Sequence, residues 1–169
     1  MADSYSTIDG KDIDILSLVQ SNARISNAEI ARQVGMAPSA ILERLRKLEA
    51  RGVVRGYETR LDPHPLGLGL LAFVFVRSDE RLNDGETAAR LAEIPEAQEV
   101  HHVAGEDCYL VKVRAADPEA LGRLLRERFG SIPSVRSTRT TIVLGTVKES
   151  GQLPLPEPES LETSEVADA

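Results

Sequence analysis

Near residue 52 of this 169-residue chain the spacing of apolar side chains changes, and that switch constrains the fold more than any other feature. Upstream, apolar residues recur three and four apart, the period of a helix with one buried face. Downstream, Leu70, Leu71, Ala72, Phe73, Val74, Phe75 and Val76 form a nearly unbroken apolar run, as in a strand covered on both faces. The chain is therefore read as an all-helical N-terminal part followed by a mixed α/β part.

Three helices are expected before the switch. Asp9 N-caps the first, which carries Ile15, Leu16 and Val19 on one side. Ser26-Asn27-Ala28-Glu29 has the spacing of a capping box and opens a short second helix with Ile30 and Val34 four apart. Gly35 ends it, because glycine tolerates the positive φ of a helix C-terminus. Pro38 suits the first turn of a third helix, where no N–H is needed, and that helix runs to Gly52. A short helix, a glycine turn and a longer amphipathic helix make a helix-turn-helix. Ile41, Leu42, Leu45 and Leu48 are expected to pack inward, which leaves Ser39, Ala40, Glu43, Arg44 and Lys47 on the outer face. The small residues at the start allow approach to a major groove. Arg44 is placed to reach a guanine edge, with Arg46, Lys47 and Arg51 placed for phosphates. The competing reading is an ordinary solvated, charged face.

Charge bears on that choice. The formal net charge of -7 is unusual for a DNA binder, whose affinity rests on neutralising phosphates. However, Glu149, Glu157, Glu159, Glu162, Glu165 and Asp168 lie in the last stretch, which has no Lys or Arg. Without this stretch the chain is nearly neutral, and Arg44, Arg46, Lys47, Arg51 and Arg55 form a local basic stripe, which matters more than the sum.

Beyond the switch, Val53 to Arg60 is expected as a strand and Asp62 to Gly67 as a linker turn. The apolar run at 70–77 is followed by a helix from Asn83 to Ile94 and by strands from Gln98 to Ala104 and from Cys108 to Val113. Asp117-Pro118 then starts a helix with Leu121, Leu124, Leu125 and Phe129 along one face, and Ser137 to Val147 supplies a last strand. The order β-α-β-β-α-β is that of the ferredoxin-like fold, so the class is α+β. The proline-rich, acidic end is expected to be disordered.

Other chemistries find little support. One cysteine, Cys108, makes no internal disulfide and reads as a small core residue. His101 and His102 are adjacent on a strand and point to opposite faces, and His64 sits between prolines, so no metal site or cofactor is expected. The first residues lack a secretory signal and no apolar run of about 18 residues spans a membrane, which fits the cytoplasm.

The spaced set Ile8-Asp9, Asp12, Ile15-Leu16, Arg24-Ile25-Ser26, Glu29-Ile30-Ala31, Val34-Gly35, Pro38-Ser39, Leu42-Glu43-Arg44-Leu45, Leu48-Glu49, Gly52-Val53-Val54 and Gly56-Tyr57 resembles the Lrp/AsnC (leucine-responsive regulator, feast/famine) family of transcription factors. His101, Val103, Gly105, Tyr109-Leu110, Thr138-Arg139-Thr140 and Val147-Lys148 extend the resemblance to about residue 148. It implies an N-terminal arm at 1–8, a winged helix-turn-helix DNA-binding domain at 9–60, a linker at 61–68, a ligand-sensing and oligomerisation domain at 69–147 and an acidic tail at 148–169. It also implies double-stranded DNA as partner, dimers that pair their C-terminal sheets and build tetramers, octamers or higher rings, and small effectors, usually amino acids, held between dimers.

The effector site is then expected at His102, Gly105, Glu106, Asp107, Cys108 and Tyr109, facing Thr140, Thr141 and Ile142. Gly105 would let a backbone N–H approach a carboxylate, and Glu106 or Asp107 would hold an ammonium. The competing reading is a polar hairpin turn. The chain departs from the family in two places that matter. Ala37 stands where a serine cap is usual, and the effector loop, usually Gly-x-x-Asp, reads Gly105-Glu106-Asp107-Cys108. The second departure leaves open a different ligand or none.

Two other classes share parts of this pattern. A siroheme decarboxylase has the same architecture and would use His102 and Tyr109, but the basic third helix argues against it. An assembly module without DNA binding is the other. For the tail, the readings are a solvated linker or an electrostatic competitor of DNA. The competitor reading predicts that deleting 149–169 raises non-specific affinity at low salt.

Overall fold

The computed structural model describes residues 8–79, 85–105 and 107–157. The chain divides into two units: one runs to Arg60 and takes in the chain again from Ser150, and the other is Leu61–Glu149. No helix among the described residues is long and apolar enough to cross a membrane.

In the first unit, α1 (Gly10–Ser21), α2 (Asn27–Val34) and α3 (Pro38–Ala50) surround a core of Ile15, Val19, Ile30, Ala31, Val34, Ile41 and Leu45. The capping box forms at α1: the Asp9 side chain accepts the Asp12 N–H and the Asp12 side chain accepts the Asp9 N–H. At α2 only half of the expected box forms. Ser26 accepts the Glu29 N–H at 3.2 Å, but the Glu29 carboxylate binds Arg32 and Gln33 instead, which are one turn on and reachable without bending back. Gly35 ends α2 at φ 73° with open space where a β-carbon would stand, so its requirement is conformational. Leu42, expected inside, is 38% exposed, because Ile41, Leu45 and Leu48 already define the inward stripe and Leu42 falls at its margin.

Val53 to Arg60 is not a strand. The Val53 and Val54 N–H groups turn back to the Leu48 carbonyl at 2.9 and 3.3 Å, and the residues after them meet no neighbouring strand among the described residues of this unit. Tyr57 is tied to α3 by donating to Glu49 at 2.9 Å. The chain returns at 150–157 as an extended strap on α1. Gln20 donates to the Leu153 carbonyl at 2.9 Å and accepts its N–H at 2.8 Å, and Leu155 packs with Ile13, Leu16 and Leu48. The first part of the tail is thus docked, contrary to the expectation of disorder. Leu155 offers apolar surface, and Pro154 and Pro156 lower the entropy lost on holding it extended.

The second unit is a four-stranded antiparallel sheet in the order β2-β3-β1-β4, built from β1 (Leu70–Ser78), β2 (Ala97–His102), β3 (Tyr109–Ala115) and β4 (Val135–Ile142). This is the expected split β-α-β order. On one face Ala72, Val74, Val76, Val111 and Val113 are buried beneath α4 (Glu86–Ala92) and α5 (Pro118–Leu124). Two residues of the helix expected after β1, Asn83 and Asp84, lie outside the described residues. Strand β4 stops at Ile142, short of Val147, because β1 begins at Leu70 and the last rung is the Val143 N–H on the Leu71 carbonyl.

After α5 a π-helical turn, Leu125–Phe129, inserts one extra residue. Phe129, at the end of that turn, is fully buried in one core with Leu121 and Leu124, as the spacing expects. Thr87, fully buried on α4, shares a 2.6 Å hydrogen bond with Ser134.

Candidate nucleic-acid interface and effector site

The α3 helix starts at Ala37, which has the extended backbone of an N-cap but offers no side-chain hydrogen bond, and Pro38 follows at the first helical position. Ile41, Leu45 and Leu48 anchor it to the core. Ser39, Glu43, Arg46, Lys47 and Arg51 are exposed and Ala40 is half-buried. Glu43 and Lys47 pair at 2.7 Å with 68% of each side chain exposed, so the pair opens readily and Lys47 can exchange Glu43 for a phosphate. The hydrogen bond from the Lys47 ammonium keeps the Glu43 carboxyl below its ordinary range.

Arg44 sits differently. It lies four residues before Leu48, on the buried edge of the helix, and its Nη1 donates to Asp9 Oδ2 and Asp12 Oδ1, each at 2.7 Å. The expected guanine contact therefore competes with two carboxylates from the start of α1. Asp12 is 7% exposed, and hydrogen bonding to it, then to Asp9, raises the Arg44 pKa. Burial pushes the Asp9 carboxyl up, but the Asp12 N–H and the Arg44 guanidinium outweigh it and leave the carboxyl below its ordinary value. The sequence carried a sign of this partnership: Asp12 occupies the stripe of Ile15, Leu16 and Val19, and a carboxylate on a buried stripe needs a cation. A groove of about 570 Å³ runs from the start of α1 along α3 and is lined by Asp9, Asp12, Ala40, Glu43, Arg44 and Lys47, among others.

In the second unit, the β2–β3 connection is held by the Val103 N–H on the Cys108 carbonyl at 3.0 Å and the Cys108 N–H on the Val76 carbonyl at 2.9 Å. The Cys108 thiol lies 3.6 Å from the Ser78 carbonyl, half-buried. Gly105 has φ 141°, a conformation that side-chain-bearing residues rarely adopt. Asp107 pairs with Arg139 at 3.0 Å, and Arg139 lies over the Phe75 ring at 3.9 Å. His102 and Tyr109 are cross-strand partners with ring centroids 5.2 Å apart. Glu106 lies outside the described residues.

Thr140, Thr141 and Ile142 are not brought to this loop within one chain. They stand opposite Val74, Phe73 and Ala72 on the far side of β1, whereas Tyr109 stands opposite Val76 on its near side. Two strand spacings, about 10 Å, separate β3 from β4. Thr140 and Ile142 also share the helix-covered face, while Thr141 points to the other. His101 faces Leu110 and His102 faces Tyr109, so the two imidazoles diverge, and among the described residues no cluster suited to a metal forms.

The chain matches two family models: winged helix-turn-helix DNA-binding over residues 8–55, and the Lrp/AsnC ligand binding domain over residues 71–153. The leucine-responsive regulatory protein of Salmonella typhimurium is 39% identical over 151 residues, covering 85% of this chain and 92% of the relative. A transcriptional regulator from Neisseria meningitidis, solved in complex with L-Met, superposes with a TM-score of 0.81 at 33% identity, covering 88% of this chain and 97% of that one. A feast or famine regulatory protein from M. tuberculosis, complexed with L-methionine, gives 0.80 at 35% identity, with 87% and 99% covered. These relatives are transcription regulators, not enzymes.

Proposed function

The chain belongs to the Lrp/AsnC family of transcription regulators, and on that premise we propose that it places α3 in the major groove of double-stranded DNA and changes assembly or DNA affinity when an amino acid binds its second unit. The observation that carries the DNA reading is the α3 surface: small Ser39 and Ala40 at the leading end, Glu43 and Lys47 in an openable pair, and Arg46 and Arg51 at the flanks. Phosphate contacts from the cations set register, and the short residues admit the base edges.

The effector reading rests on the loop around Gly105, on Asp107 and Tyr109, and on the L-methionine held by two similar regulators. Gly105 presents backbone to a carboxylate, and Asp107 offers an anion to an ammonium by exchanging Arg139. Because Thr140, Thr141 and Ile142 lie across β1 from that loop, a second copy of the chain completes the pocket. The sheet face opposite the helices carries Phe73, Phe75 and Leu110 outside the buried core, which suits it to pairing with another copy.

Light scattering after size exclusion, with L-methionine, L-leucine and every other protein amino acid in turn, tests this alongside calorimetric titration. A mass shift or binding heat with one of them supports the effector reading. Neither signal with any of them overturns it and leaves a regulator without an amino-acid signal.

A further inference from the structure

The pairing of Arg44 with Asp9 and Asp12 has a feature that an ordinary surface ion pair lacks. Each carboxylate uses one oxygen to cap α1 and the other to hold Arg44: Asp9 Oδ1 takes the Asp12 N–H and Asp9 Oδ2 takes Arg44, while Asp12 Oδ2 takes the Asp9 N–H and Asp12 Oδ1 takes Arg44. The cap of one helix and the anchor of another are therefore the same pair of side chains. The trio carries two negative charges and one positive, so its net charge of -1 repels a phosphate. Withdrawing Arg44 to meet DNA would leave Asp12, whose side chain is 10% exposed, without its cation.

We propose that Arg44 is a positioning residue of the recognition helix and not a reader of bases: with Asp9 and Asp12 it fixes α3 against the start of α1, and so sets how Ser39, Glu43 and Lys47 are presented to DNA. The proposal rests on the reading of α3 as the DNA-contacting helix. Pro38 without a side-chain cap at Ala37 leaves the start of α3 weakly held by its own sequence, and the Arg44 anchor lies within two turns of that start. The helix is thereby registered from its middle, with its leading end free to adapt to the groove.

The test uses the full chain and a duplex that the wild-type protein selects from a random-sequence pool. Wild type that enriches no sequence and binds no duplex overturns the DNA reading itself, before any variant is made. Arg44→Met keeps the apolar stem and removes the charge, Asp12→Asn removes the deeper partner, and Arg44→Lys restores the charge alone. Affinity is measured across a salt series at a temperature where circular dichroism shows every variant folded. Positioning predicts that Arg44→Met and Asp12→Asn each weaken binding about fivefold, and that the double variant is no weaker than the worse single one. Arg44→Lys recovers part of the loss, and the salt slope stays that of wild type. If Arg44→Met weakens binding with a slope shallower by about 0.9 while Asp12→Asn binds as well as wild type or better, Arg44 is a DNA contact and the proposal fails. If all variants bind as wild type, the trio serves stability alone and the proposal also fails.

Discussion

Cutting the chain after Glu149 removes the strap that lies on α1, and the loss follows from the contacts of Leu153 and Leu155. Leu155 is half-buried among Ile13, Leu16 and Leu48. Burying a whole leucine is worth about 1.5–3 kcal/mol, so half burial is worth about 1 kcal/mol. The two hydrogen bonds between Gln20 and Leu153 are exposed and sit at the low end of the usual range, together about 1 kcal/mol. Ordering the strap opposes these gains, moderated by its two prolines, so the net effect falls below their sum, at roughly 1 kcal/mol. For a unit of this size, that lowers the melting midpoint by roughly 4–8 °C. Thermal unfolding followed by circular dichroism, with hydrogen exchange on peptides from α1 and α3, reads the effect in the unit concerned. Truncation after Glu157 keeps the strap and should leave both readouts unchanged, while Leu155→Ala should reproduce about half of the full loss. An unchanged midpoint and unchanged exchange in the chain ending at Glu149 would refute the reasoning. The same contrast reshapes the question of tail charge: a deletion of 149–169 alters stability as well as electrostatics, and only the cut after Glu157 isolates the carboxylates beyond it.

Three further outcomes are expected. Ala37→Ser, at an N-cap position whose backbone is already extended, should stabilise α3 by about 1 kcal/mol and raise the melting midpoint; no rise would mean that the new hydroxyl does not reach the N–H groups of the first turn. Gly130→Ala places a carbon 2.6 Å from the Arg126 carbonyl at the end of the π turn and should cost about 1–3 kcal/mol, read by chemical denaturation, whereas unchanged stability would show that the turn relaxes freely. The Asp9 carboxyl is held below its ordinary value in the folded chain, so its contribution to α1 and α3 is fully present above that ordinary value and is lost as pH falls through the folded one. A melting series in acid should therefore show a smaller pH dependence for Asp9→Asn than for wild type.

Much of the architecture could be read from residue spacing because each element has its own period and its own stop. Gly35, Pro38 and the Asp117-Pro118 pair mark boundaries chemically, and the structure puts helix ends there. What could not be read was long-range. The strand expected at Val53–Arg60 had suitable residues, but a strand also needs a neighbour, and spacing along one chain does not report neighbours. The burial of Phe129 was legible, but the π turn that carries it is a local departure from 3.6 residues per turn, invisible to a pattern that assumes the regular helix. Leu155 looked like part of a polar tail because its partners, Ile13, Leu16 and Leu48, lie about a hundred residues or more away along the chain. On α3 the outward residues were legible from helical phase, yet of the Arg44 anchor only half was, a carboxylate at Asp12 on a buried stripe whose partner the spacing does not name. The β2–β3 loop proposed to hold an effector was legible as a set of residues, but Thr140–Ile142 belong to a strand on the other side of β1, an order that only the sheet reveals.

The return of the chain at Ser150 has a consequence for how the first unit is assembled. Its fold joins two stretches that are separated along the chain by the whole of the second unit, and the later stretch is clipped to α1 at Gln20. During synthesis α1, α2 and α3 are made first, and they gain the strap only after every strand of the second unit has left the ribosome. The first unit to be made is thus the last to be completed.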